Sequence, residues 1–183
     1  MNLPNAISLT RFLLMPVLVW LAWHSYERAF LMLLALCFFS DVLDGWIARR
    51  FHMQTELGAR LDSWSDFFNY STMVIGGWWL WPAIMTQEKP YVLVVVACLI
   101  VPAGLGILKF RSLTSYHTWS VKFAALAVAG SGMLLFAGAP AWLFHLAVPF
   151  SVVAAVEEIC ITLVSTTPRS NTPTLWHALR ARE

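Results

Sequence analysis

Charge is scarce in this sequence. Only 12% of its 183 residues are Asp, Glu, Lys or Arg, against about a quarter in an ordinary soluble domain, so a water-soluble globule is excluded as the natural reading. The formal net charge is only +2, which leaves no electrostatic footprint for nucleic acid. Cysteine is sparse: Cys37, Cys98 and Cys160 sit singly inside apolar runs with no paired spacing. They read as small core residues, and no disulfide is expected. No His or Cys pair stands at metal-ligand spacing, so any metal chemistry has to come from oxygen ligands. There is no internal repeat and no low-complexity segment. The first apolar run begins almost at once, contains Pro16 and is followed by no A-x-A-like site, so no cleavable signal peptide is expected.

What is present is apolar. Hydrophobic residues make up 59% of the chain and the mean hydropathy is +0.67. Ten Trp and twelve Phe suit interfacial belts and lipid-facing surfaces. The expectation is an all-α integral membrane protein of one domain, residues 1–183. Residues 1–11 read as a short interfacial helix, residues 12–164 as a bundle of six transmembrane helices, and residues 165–183 as a polar tail, in which Pro173 to Arg182 could form another interfacial helix. The spans are expected at about Phe12–Trp23 (bilayer length if counted from Ile7), Ala29–Ala48, Leu61–Trp81, Tyr91–Leu108, Ser120–Phe136 and Ala141–Val164. Pro82 to Pro90 reads as a loop, and Gly138-Ala-Pro140 as a tight turn.

Orientation follows from the basic residues. With six spans, one side holds Arg11, Arg49, Arg50, Arg60, Lys109, Arg111, Arg169, Arg180 and Arg182, with Lys122 just inside the next helix, while the other holds Arg28 and Lys89. Ten against two puts both termini in the cytoplasm, as for a protein of the bacterial inner membrane.

The chain is organised around Asp41 to Asp66. Asp41 and Asp44 are spaced i, i+3, and Asp62 and Asp66 i, i+4, so each pair shares one face of a helix. The polar run from Arg49 to Leu61 is long enough to turn the chain, and two antiparallel helices would aim both pairs at one point. Four carboxylates there would repel one another. A hard divalent cation removes the problem: Mg²⁺ or Mn²⁺, with two ions bridged by shared carboxylates. Gly45 lets a ligand approach the helix backbone closely. Single intramembrane acids often pair only with a nearby Arg or Lys; four at this spacing point to function.

These residues resemble the signature of the CDP-alcohol phosphotransferases, D-x2-D-G-x2-A-R-x8-G-x3-D-x3-D. Asp41, Asp44, Gly45, Ala48, Arg49, Gly58, Asp62 and Asp66 match every fixed position. The resemblance implies a six-helix membrane enzyme, most often a homodimer, that binds a CDP-linked donor through a metal centre formed by Asp41, Asp44, Asp62 and Asp66. It also implies that Asp66 is the general base. The donor is most often CDP-diacylglycerol and the acceptor a small polar alcohol, with CMP released. The same signature serves enzymes that move phosphocholine or phosphoethanolamine from a CDP-amino alcohol to diacylglycerol. An ion transporter is the remaining class, but it would spread its acids over several depths, whereas these four sit at one level.

Beyond the signature, Arg111, His117 and Lys122 lie around the junction of spans four and five, where they are candidates for diphosphate or acceptor contacts. Arg111 reads equally as a positive-inside residue. Glu157 and Glu158 interrupt span six about two turns from its end, either as a structural pair for Lys122 or as selectors of the acceptor. His145 reads as a packing or interfacial histidine. Phosphatidylglycerophosphate synthases typically carry Pro after the third aspartate and Lys after the fourth; Ser63 and Phe67 stand there in this chain. Those departures speak against glycerol 3-phosphate. Serine, inositol phosphate, glycerol phosphate and an amino alcohol all stay open.

Overall fold

In a bilayer every backbone polar group has to be satisfied internally, so long apolar runs become helices. A computed structural model describes residues 3–51, 56–111 and 118–165, with side chains for 6–48, 50–51, 58, 64–111 and 118–165. It is helical throughout, with no strand among the described residues. The helices are α1 (Leu3–Trp23), α2 (Glu27–Arg50), α3 (Glu56–Leu80), α4 (Pro82–Gln87), α5 (Lys89–Phe110), α6 (Trp119–Phe136) and α7 (Trp142–Val164). Five of them, α1, α2, α5, α6 and α7, are long and apolar enough to cross a membrane. At 25 residues α3 has the length, but Ser65, Asp66, Asn69, Ser71 and Thr72 lower its hydropathy. Large apolar side chains face outward, such as Met32 at 74% exposure and Leu108 at 82%. Lipid accepts that surface; water does not.

Two boundaries differ from those expected. An interfacial segment to Arg11 followed by a span from Phe12 is replaced by one unbroken helix, α1. Pro4 falls in its first turn, where no amide hydrogen is needed, and no glycine interrupts it before Trp23. The loop expected over Pro82–Pro90 is mostly helical. Pro82 opens α4, and Pro90 lies in the first turn of α5, so both prolines start helices rather than break them. His117 and the expected helix at Pro173–Arg182 lie outside the described residues.

The chain forms two compact units, residues 1–87 and 88–183. In the first, α1 packs on both α2 and α3, and the packing follows a 3-4 rhythm. Ser8, Arg11, Met15, Leu18 and Ala22 are buried along α1. Phe30, Leu34 and Cys37 are buried along α2, and Asp41 and Asp44 continue the same stripe. On α3 the stripe is Ser65, Asn69, Thr72, Gly76 and Leu80. Spacings of three and four keep side chains on one helix face. The seam is therefore apolar at one end and polar at the other, and the polar end is the candidate site. Gly76 permits the approach of α2: a Cβ there would lie 2.3 Å from Cζ of Phe30.

In the second unit α7 packs on α5 and α6. Small residues on the α6 and α7 faces, Ala124, Ser131 and Gly132 against Ala147, Ser151, Ala154 and Ala155, are buried, as close helix packing in lipid requires. Lys109 Nζ donates to the carbonyls of Thr162 and Leu163, both at 2.8 Å, a cation on the exposed carbonyls of the last turn of α7. At the other end of the same two helices Glu88 pairs with His145 at 2.6 Å. Helices α5 and α7 therefore run parallel, as expected for spans four and six.

Candidate active site

Helix α2 brings Asp41 and Asp44 to the polar end of the first unit, α3 brings Asp66, and α1 brings Ser8 and Arg11. Arg11 is 1% exposed and stands among the carboxylates. Its Nη1 donates to Asp41 Oδ1, its Nη2 donates to Asp44 Oδ2 at 2.6 Å, and Nη1 lies 3.9 Å from Asp66 Oδ1. The Ser8 hydroxyl donates to Asp44 Oδ2 at 3.0 Å and accepts from Arg11 Nη2 at 3.3 Å. Ser65 Oγ donates to the Ser8 carbonyl at 3.4 Å, tying α3 to α1 beside the cluster. Burial separates the three acids. The Asp44 side chain is 3% exposed, Asp41 26% and Asp66 35%. Asp44 is held; Asp66 is the one most open to a ligand.

The expected convergence of α2 and α3 acids thus holds for Asp41, Asp44 and Asp66. The side chains of Asp62 and Arg49 lie outside the described residues. Gly45 and Ala48 are half-buried on α2 beside Asp44, and Gly58 is half-buried near the start of α3. Among the described residues no three His, Cys, Asp or Glu side chains close into a metal-ligand set. The cluster nonetheless fits a hard cation in two respects: its donors are carboxylate oxygens, and its negative charge exceeds what the Arg11 guanidinium neutralises. The described groups sum to three carboxylates and one guanidinium, a charge of −2, which one divalent cation balances.

The remaining sequence candidates belong to the second unit. Arg111 is exposed and caps α5 in the left-handed conformation, φ 54°. Lys122, exposed in the first turns of α6, places Nζ 5.4 Å from the centre of the Trp119 ring. Glu157 and Glu158 are half-buried on α7, and Glu157 accepts from the Ser120 hydroxyl. Ser120 also hydrogen-bonds Thr118 Oγ at 2.9 Å, and Thr118 caps α6 by accepting from the Val121 amide at 3.3 Å. His145, toward the opposite end of α7, stacks on Tyr91 with ring centres 4.0 Å apart and bonds Glu88. It packs, as its sequence position suggests.

The sequence reading does not place Ser8, Arg11 or Asn69 at the site. Arg11 reads there as a positive-inside residue, yet its spacing from Met15, Leu18 and Ala22 was a sign that it lies on the buried stripe. Asn69 is fully buried, one turn beyond Ser65, and neither amide atom has a hydrogen-bond partner among the described residues.

Comparison with known proteins agrees with the signature. The profile of the family described as CDP-alcohol phosphatidyltransferase matches residues 1–167. The chain is 36% identical over 69 residues to a CDP-diacylglycerol--glycerol-3-phosphate 3-phosphatidyltransferase of Pseudomonas fluorescens, a match covering 36% of this chain and 35% of that protein. It is 33% identical over 66 residues to a protein of the same description from Aquifex aeolicus (strain VF5), covering 36% of this chain and 37% of that protein. The matched stretches thus span little more than a third of either relative. No solved structure matches the chain.

Proposed function

The chain belongs to the CDP-alcohol phosphatidyltransferase family, and from that premise we propose that it transfers a phosphatidyl group from CDP-diacylglycerol to a small polar alcohol, with release of CMP. The observation that carries this reading is the gathering of Asp41, Asp44 and Asp66 at the polar end of one helical unit. Asp41, Asp44, Asp62 and Asp66 would hold Mg²⁺ or Mn²⁺, which supplies charge neutralisation for the diphosphate and the leaving CMP. The other signature residues, Gly45, Ala48, Arg49 and Gly58, would line the donor. Gly45 and Ala48 are small and leave room beside Asp44. Asp66, the most open of the three acids, takes the proton of the acceptor hydroxyl. The acceptor oxygen then bonds to the phosphatidyl phosphorus as the bond to the CMP oxygen breaks. The attack is in line and forms no covalent enzyme intermediate.

The placement of basic residues supports six spans with both termini and the aspartates on the cytoplasmic side of a bacterial inner membrane, α3 being the sixth. Its buried polar residues, Ser65, Asn69 and Thr72, lie on the stripe that packs in the first unit. A homodimer remains the expected assembly by family resemblance.

Two facts bear on the acceptor and pull in opposite directions. Ser63 and Phe67 depart from the pattern of phosphatidylglycerophosphate synthases, while the relatives that the chain matches are described as acting with glycerol 3-phosphate. Glycerol 3-phosphate is therefore the first acceptor to test, and Arg111 and Lys122 stay the basic residues that the sequence alone offers for its phosphate. Glu157, engaged by Ser120, would serve the bundle rather than an ammonium group. Purified protein given CDP-diacylglycerol with glycerol 3-phosphate, serine or inositol phosphate is expected to form lipid product and CMP with glycerol 3-phosphate. Product only with serine would reassign the acceptor. Product only from CDP-choline or CDP-ethanolamine and diacylglycerol would refute the donor.

A further inference from the structure

Among the described residues of the cluster, Arg11 is the charged one that neither the signature nor the proposed chemistry uses. It is 1% exposed, and its two terminal nitrogens are spent on Asp41 and Asp44. A guanidinium keeps its charge in any protein setting, so this positive charge is present whatever else is bound. A buried cation is costly unless paired, and so is a buried carboxylate. Arg11 and Asp44, 2% exposed as a residue, meet that condition for each other. Without Arg11, Asp41, Asp44 and Asp66 would face one another across the meeting of three helices, and their repulsion would open the seam. Ser8 alone could not prevent this, since a hydroxyl brings no net charge.

We propose that Arg11 is a placeholder cation: it keeps Asp41, Asp44 and Asp66 gathered while no metal is bound, and shares them with the divalent cation when one arrives. This rests on the reading of the cluster as a cation site. The charge of Arg11 does the work, more than its bulk. Losing that charge should therefore make the folded state depend on the cation.

The test is thermal melting of the full chain in detergent micelles, in chelator and in millimolar Mg²⁺ or Mn²⁺, for wild type, Arg11→Lys and Arg11→Gln. In chelator Arg11→Gln is expected to melt about 10 °C below wild type, as for a broken buried pair, and the cation should restore at least half of the loss. Arg11→Lys, which keeps the charge, should stay near wild type in both conditions. An equal loss in Arg11→Gln with and without cation would make Arg11 a packing residue and overturn the proposal. If Arg11→Gln does not fold, Arg11→Gln with Asp44→Asn removes both buried partners. That double variant is expected to fold, to melt near wild type in chelator and to gain little from Mg²⁺; a double variant that also fails to fold overturns the proposal. Mn²⁺ binding to wild type, read by electron paramagnetic resonance, separates the two levels. Wild type that binds no Mn²⁺ ends the reading of the cluster as a cation site, and this inference with it. Wild type that binds Mn²⁺ beside an Arg11→Gln whose loss the cation does not restore ends this inference alone.

Discussion

Asp41 and Asp66 carry the same carboxylate in different surroundings. Asp41 is bonded to a buried guanidinium, while Asp66 stands 3.9 Å from it with its side chain 35% exposed. Substituting each with asparagine keeps the shape and removes the charge. Asp66→Asn is expected to lower turnover by about 10²- to 10⁴-fold, the range of a lost general base, and to leave most CDP binding intact. Asp41→Asn is expected to weaken metal-dependent CDP binding itself. Calorimetry with CDP and Mn²⁺ separates them, and equal binding losses would undo the division of roles. The aspartates were legible because their spacing is a statement about helix faces, and a face is all that convergence needs. Arg11 was not, because a basic residue near a span end has an ordinary explanation in membrane orientation. Only its register against Met15 and Leu18 argues otherwise. Asn69 had no legible signal beyond being polar on an apolar helix.

The helices themselves were largely readable, since a run of apolar residues long enough to cross a bilayer has few other fates. The boundaries differ at two places, the Pro82–Pro90 segment and Arg11. Pro82 and Pro90 initiate helices, because the first turn needs no amide hydrogen, and α1 passes through the boundary drawn at Arg11. What no pattern reveals is how close two helices come. Gly76 sets that distance between α2 and α3. A methyl group there meets the Phe30 ring at 2.3 Å and 2.7 Å, and Phe30 is fully buried. Gly76→Ala should therefore destabilise the protein by about 1–3 kcal/mol, the usual cost of overpacking, despite the better helix propensity of alanine. Phe30→Leu in the same background, by removing the ring edge, should recover part of the loss. Chemical denaturation checks both, and a Gly76→Ala variant as stable as wild type would show that the seam is looser than the geometry states.

For the whole molecule, the two units divide the polar residues. The first gathers the signature aspartates with Arg11, and the second holds Arg111, Lys122, Glu157 and Glu158. Membrane class and reaction class were legible because composition and a signature with fixed gaps constrain both. The acceptor was not, because selectivity depends on a few side chains whose spacing follows no rule, and the departures at Ser63 and Phe67 exclude no alcohol on physical grounds. The most direct measurement of the central claim is CMP release from CDP-diacylglycerol by the purified protein, with and without acceptor, in Mg²⁺ and in excess chelator. CMP is expected only when acceptor and divalent cation are both present, in equal amount with the new lipid. CMP release that continues unchanged in chelator, or that proceeds without any acceptor, would contradict it.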